Sequence, residues 1–242
     1  MRYFIEFAYN GSAFFGYQIQ PNQVSVQEEL EKALSTILRE SVKITAAGRT
    51  DTGVHAKKMF AHFDSEQMPE KDLVYRLNSF LPESISIRRI FEVSPELHAR
   101  FGAVFRTYEY YISLEKNPFS VNFSWQYWRQ KPLDINLMNE ACKILFEYED
   151  FTSFAKLRTD NKTNLCKIYK AEWIQNGNLL KFNISANRFL RNMVRAIVGT
   201  MVEIGSGKIK PEDLRKIIEA RYRNSAGVSA PAQGLFLVDV GY

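Results

Sequence analysis

One stretch of this 242-residue chain concentrates groups that could do chemistry. Gly48-Arg49-Thr50-Asp51-Thr52-Gly53 lies between two runs that read as strands, and no other carboxylate occurs within ten residues of Asp51 on either side. A carboxylate beside a guanidinium is held in its ionised form, ready to act as a nucleophile or to stabilise positive charge. The bracketing glycines allow backbone angles and close approaches that a side chain would block. A loop carried by a rigid strand pair is a good platform for a reactive group. An aspartate that merely bonds its own turn would leave the same local sequence. His55 and His62 flank the loop, but Asp-x3-His-x6-His matches no recognised ligand spacing, and His98 is distant, so no metal site is expected. Cys142 and Cys166 form neither a CxxC knuckle nor a disulfide framework.

Composition narrows the partners. Lys plus Arg number 32 and Asp plus Glu 27, a net charge of +5. Ten basic residues fall between Lys181 and Arg223 against four acidic ones, so that segment nets +6 and the rest −1. Such a basic third suits a phosphate-backbone footprint, although a charge run is also what a solvated helical face looks like. Hydrophobic residues at 45% and aromatics at 14% exclude a disordered chain. No apolar run approaches the roughly 18 residues a membrane span needs, and a charge interrupts the short apolar start, which speaks against a signal peptide. The expectation is a cytoplasmic protein with no membrane partner.

The elements that must carry the loop follow from periodicity. Residues 2–9 read as a buried strand. Ser25 and Glu28 form a capping box for a helix with Val26, Leu30, Ala33, Leu34, Ile37 and Leu38 on one stripe. Strands are expected over 42–47, 58–63 and 85–93, and a short helix over 72–81 stopped by Pro82. The order is β-α-β-β-α-β. The second half is similar: strands at 105–114 and 125–128, a helix N-capped by Asp134, a hairpin over 167–184 broken at Asn176-Gly177, a helix over 188–204 stopped by Gly205, a short helix over 213–221, and a closing strand over 235–240. This predicts an α+β fold in two halves, 1–100 and 101–242, with largely antiparallel sheets and closely packed halves.

Several motifs in order resemble one family. Gly48-Arg49-Thr50-Asp51-Thr52-Gly53-Val54-His55-Ala56 is similar to the signature of the tRNA pseudouridine synthases that act on the anticodon arm. Gly16-Tyr17-Gln18 with Val26-Gln27 and Leu30-Glu31 resembles the first motif of that family. His98-Ala99-Arg100-Phe101 and Arg106-Thr107-Tyr108-Glu109-Tyr110 resemble the second. Asn187-Arg188-Phe189-Leu190, Met193-Val194-Arg195 and Val198-Gly199 resemble the third, and Pro231-Ala232 with Gly234-Leu235 the closing strand. Asn10 departs from the aspartate common before Gly11. The resemblance implies the pseudouridine synthase fold, two ferredoxin-like halves flanked by helices with a cleft between them.

It also implies the isomerisation of uridine to pseudouridine in the anticodon stem-loop of tRNA, at positions 38, 39 and 40, with no cofactor and in a homodimer. Asp51 is then the catalytic nucleophile. Arg49 is implied to fill the gap left by a flipped base. Tyr108 is implied to stack on the uracil. On a helical wheel Arg191 and Arg195 both border the apolar arc, and the wheel does not choose between them as partner of Asp51; the resemblance chooses Arg195. Lys208, Lys210, Arg215, Lys216 and Arg221 are candidate phosphate contacts. A non-catalytic RNA-binding module is the alternative. An aspartyl-phosphate phosphotransferase is less favoured, since it requires a parallel doubly wound sheet and an acidic Mg²⁺ cluster.

Overall fold

The computed structural model describes residues 1–66, 71–156 and 163–242. Its chain forms two compact units, Met1–Val104 with Phe236–Tyr242, and Phe105–Leu235.

The first unit runs β1 (Arg2–Tyr9), α1 (Val26–Leu38), β2 (Thr45–Ala46), β3 (His55–Asp64), α2 (Leu73–Phe80) and β4 (Ile85–Val93), the expected β-α-β-β-α-β order. β1 lies between β4 and β3 and is antiparallel to both, and β2 pairs antiparallel with β3. The Ser25 hydroxyl accepts from the Glu28 N–H at 3.3 Å and starts α1, whose Val26, Leu30, Ala33, Leu34 and Leu38 are buried. β2 is shorter than the 42–47 run suggested. The N–H of Val42 donates to Ser35 Oγ and that of Ile44 to Glu31 Oε1, so α1 side chains take hydrogen bonds a longer strand would have used. β9 (Leu235–Gly241) follows the second unit in sequence and pairs parallel with β3, His55 opposite Phe236.

The second unit contains β5 (Phe105–Ser113), β6 (Trp125–Gln126), α3 (Ile135–Leu145), β7 (Ile168–Asn176), β8 (Leu179–Ala186), α4 (Met193–Gly205) and α5 (Asp213–Glu219). β8 is antiparallel to β5 and β7, and β6 adds to β5 in parallel. Asp134 caps α3 by accepting from the N–H groups of Asn136 and Leu137. The hairpin loop is Gly177-Asn178 rather than Asn176-Gly177, because Asn176 still pairs with Leu179. This shift puts the positive φ of +57° on the first loop residue, as a type II′ turn requires. Both units have largely antiparallel sheets, which removes the phosphotransferase reading.

The helix expected over 188–204 is α4. It starts at Met193, after Asn192 in the left-handed region at φ 66°, so Arg191 lies outside the helix and is not stacked on Arg195 at i,i+4. Gly205 is its last residue rather than its stop. A Cβ there would meet Met138 Sδ of α3 at 2.6 Å, so the glycine answers a packing demand. Among the described residues no helix is long and apolar enough to cross a membrane.

Candidate active site

In the first unit the loop before β3 carries the candidate acid. Thr50 is buried, Asp51 half-buried and Arg49 exposed, so Thr50 is the inward peg of the three. The Thr50 hydroxyl bonds the Tyr9 hydroxyl at 2.8 Å, and its carbonyl accepts from the Tyr17 N–H at 3.2 Å. The Asp51 carbonyl accepts from the Val54 N–H at 3.1 Å, closing a four-residue turn. Gly53 stands at its third position with φ +78°, the demand of a type II turn. Gly48, by contrast, has open space where a Cβ would go, so only one bracketing glycine is needed for the turn.

Packing fixes this loop from below. A Cβ on Gly11 would lie 2.0 Å from the Val54 carbonyl oxygen, and one on Gly16, at φ +95°, 2.9 Å from that of Thr50. His55 is buried, its Nδ1 accepts from the Gly11 N–H at 3.0 Å, and its ring stacks on Phe236 with centroids 4.5 Å apart. An accepting Nδ1 requires the proton on Nε2 in the neutral ring. His62 Nδ1 accepts from the Ala99 N–H at 3.2 Å. Both rings thus use Nδ1 on the backbone.

In the second unit α4 buries eleven of its thirteen residues and leaves Arg195 and Glu203 partly exposed. A helix apolar on nearly all sides belongs inside the core, so its one cation needs polar partners. Arg195 Nε donates to the Ala230 carbonyl at 2.7 Å, while the Ala230 N–H donates back to the Arg195 carbonyl at 3.0 Å. The strap that supplies Ala230 is itself clamped. The Gly227 N–H donates to Thr200 Oγ1 at 2.9 Å, and a Cβ on Gly199 would lie 1.8 Å from the Val228 carbonyl oxygen. The Arg223 guanidinium donates to the carbonyls of Ala226 and Gly227 and to Ser229 Oγ, and Asn192 also donates to that hydroxyl at 2.6 Å. Burial draws the Arg223 pKa down.

Tyr108 packs edge-on against Phe189, with centroids 5.2 Å apart. It shares a face of β5 with buried Tyr110, whose hydroxyl donates to the Pro231 carbonyl at 2.7 Å. Tyr110 also feels the charge of Arg195, although burial dominates and raises its pKa. Tyr108 and Arg195 are therefore brought to one side of the second unit's sheet.

The basic segment is less free than its charge suggests. Lys208 pairs with Glu203 at 2.5 Å, Lys216 with Asp213 at 3.0 Å, Arg221 with Asp150 at 3.1 Å, and Arg215 donates to Glu147 Oε1 at 2.8 Å. Lys210 is exposed, and its backbone N–H donates to Asp213 Oδ2. Exposed pairs of this kind are weak, so a phosphate can compete for each cation. The sequence reading did not single out Tyr9 or Arg223. Tyr9 precedes the Asn10-Gly11 turn as one more strand aromatic, and Arg223 is one of ten basic residues; nothing local marks either.

The Asp51 carboxylate is thus held at a fixed turn, with the exposed Arg49 two residues before it. The family profile described as tRNA pseudouridine synthase matches residues 6–102 and 141–242. The chain belongs to the tRNA pseudouridine synthase family, a family of isomerases. It is 54% identical to the tRNA pseudouridine synthase A of Bacteroides fragilis over 244 residues, covering 100% of this chain and 96% of that one. It is 53% identical to the protein of the same name from Parabacteroides distasonis, with the same coverage, and 37% identical to that of Bacillus subtilis, covering 100% and 99%.

Proposed function

We propose that this chain isomerises uridine to pseudouridine at positions 38, 39 and 40 of the tRNA anticodon stem-loop, with Asp51 as the reacting carboxylate. The observation that carries this is the loop itself. Its peg, Thr50, is buried, so the flanking Asp51 and Arg49 are offered at a fixed turn. The reaction breaks the N1–C1′ bond, turns the uracil and joins C5 to C1′. C5 gives up its hydrogen and N1 gains one, so atoms and electrons balance with no redox partner. Cleavage develops positive charge at C1′, which an ionised carboxylate captures or stabilises. Uracil leaves as a delocalised anion, so one carboxylate suffices. Arg195 is assigned as the ion-pair partner of Asp51. Tyr108 supplies a stacking ring for the uracil, and Arg49 occupies the place of the flipped nucleotide.

Lys208, Arg215, Lys216 and Arg221 exchange their carboxylates for phosphates when tRNA binds, and Lys210 adds a further phosphate contact. Recognition is by tRNA shape, because A-form helices hide base edges in a deep major groove. The active form is a homodimer in the cytoplasm, where the tRNA is. Asp51→Ala is expected to lower pseudouridine formation by about a thousandfold or more while RNA affinity is kept. Release of tritium from C5-labelled uridine in a tRNA transcript measures the first and filter binding the second. Wild-type tritium release would overturn the role of Asp51. Loss of binding together with activity would favour the non-catalytic binding module.

A further inference from the structure

We propose that Tyr9 is a positioning residue for the reaction, fixing Asp51 through the side-chain hydroxyl of Thr50. This rests on the reading of Asp51 as the reacting carboxylate. Tyr9 is the last residue of β1 and is 5% exposed; Thr50 is 8% exposed. Their hydroxyl oxygens are 2.8 Å apart, with either able to donate. The approach is built in by a register shift. Phe7 pairs with Met59, but Tyr9 pairs with Ala56, so β3 spends one extra residue between them. Bulges re-aim side chains and recur beside active sites. Here the bulge sets Tyr9 across from Ala56, the second residue of β3 after the loop. The Tyr9 ring is stabilised separately, stacked on Phe7 with centroids 6.1 Å apart, and Phe7 also stacks on Tyr17.

Backbone contacts hold the loop at Thr50 and Asp51 through their carbonyls. The buried Thr50 side chain adds an anchor one residue before Asp51, and the Tyr9 hydroxyl holds it. A phenylalanine at position 9 keeps the ring packing and strands a buried hydroxyl, whose need for a partner turns Thr50 outward and carries Asp51, its neighbour, with it. The group moved is the one that must meet C1′ or the uracil ring, so the loss falls on the chemical step.

The experiment compares wild type, Tyr9→Phe, Thr50→Val, the double variant, Thr50→Ser and Asp51→Asn. It measures kcat and KM for tritium release, transcript affinity and melting temperature. Tyr9→Phe and Thr50→Val are expected to lower kcat by about ten- to a hundredfold with KM and affinity unchanged. The double variant should be no worse than the weaker single one, and Thr50→Ser should restore kcat. A Tyr9→Phe enzyme with wild-type kcat, a doubled loss in the double variant, or losses that follow melting temperature alone would overturn the positioning role. An inactive Asp51→Asn beside a fully active Tyr9→Phe refutes this inference only. An active Asp51→Asn refutes the reading beneath it.

Discussion

The Asp51 loop and the Arg195 helix are held in different ways. The loop is irregular backbone, and the contacts that pin it include the Tyr9 and Thr50 hydroxyls, the Thr50 and Asp51 carbonyls and the Gly53 turn. Arg195 sits on a helix immersed in the core, under a strap that the Arg223 guanidinium, Thr200 and Gly199 clamp together. Hydrogen bonds hold the acid's loop in place, and packing holds the cation's helix. Damage to the first region should therefore change chemistry with little loss of stability. Damage to the second should cost both.

The sharpest break in that contrast comes from glycine. Gly199→Ala drives a methyl into the Val228 carbonyl and is expected to cost about 3 kcal/mol, the upper end for overpacking, with activity lost as the Ala230 anchor moves. Gly11→Ala meets the Val54 carbonyl in the same way, while Gly48→Ala, facing open space, should be tolerated. Denaturant midpoints of the three rank them. Next comes Arg223→Met, which takes a donor from the part-buried carbonyl contacts at Ala226 and Gly227 and leaves Ser229 Oγ with Asn192 alone of its two donors. A loss of about 2 kcal/mol is expected, together with reduced kcat, read by thermal melting and tritium release.

A smaller effect is expected of pH, and in the first unit it centres on His62. His62 is buried beside Arg2 and the edge of His98, and its pKa is lowered to about 4, chiefly by desolvation. The unfolded chain therefore takes up this proton first as the pH falls. Stability is full above about pH 6.5, is lost between there and about pH 4, and levels below that. His98 shifts in the same direction. A melting-temperature profile should show this decline, and His62→Gln should flatten it. The smallest effect is that of Tyr17→Phe. The Tyr17 hydroxyl is buried without a hydrogen-bond partner among the described residues, so its removal should be neutral or stabilise by up to about 1 kcal/mol. A marked loss on chemical denaturation would show that the hydroxyl does have a partner.

Most of the first unit was legible in order, because its strands and helices carry strong periodicity and end at marked turns. Ser25 and Asp134 name their helices, and their side chains make the caps the sequence suggests. What misled was long-range in origin. Nothing near Val42 says that Ser35 and Glu31 will take the N–H groups of Val42 and Ile44, and nothing near Arg191 says that Asn192 will turn left-handed and delay the helix. The same holds for the candidate site. Asp51 stands out because a lone acid between glycines is a local signal. Tyr9 and Arg223 are invisible because their roles exist only once distant backbone is in place.

The parallel pairing of β9 with β3 has a consequence for biogenesis. The unit bearing the acid emerges from the ribosome first, yet Phe236, the ring stacked on His55 beside that loop, is translated only after residues 105–235. A nascent chain must keep the open edge of β3 from wrong partners throughout that interval, while the inserted unit folds. Closure of this long-range strand is expected to be a late and slow folding event, and partial translation products are expected to lack the finished acid loop.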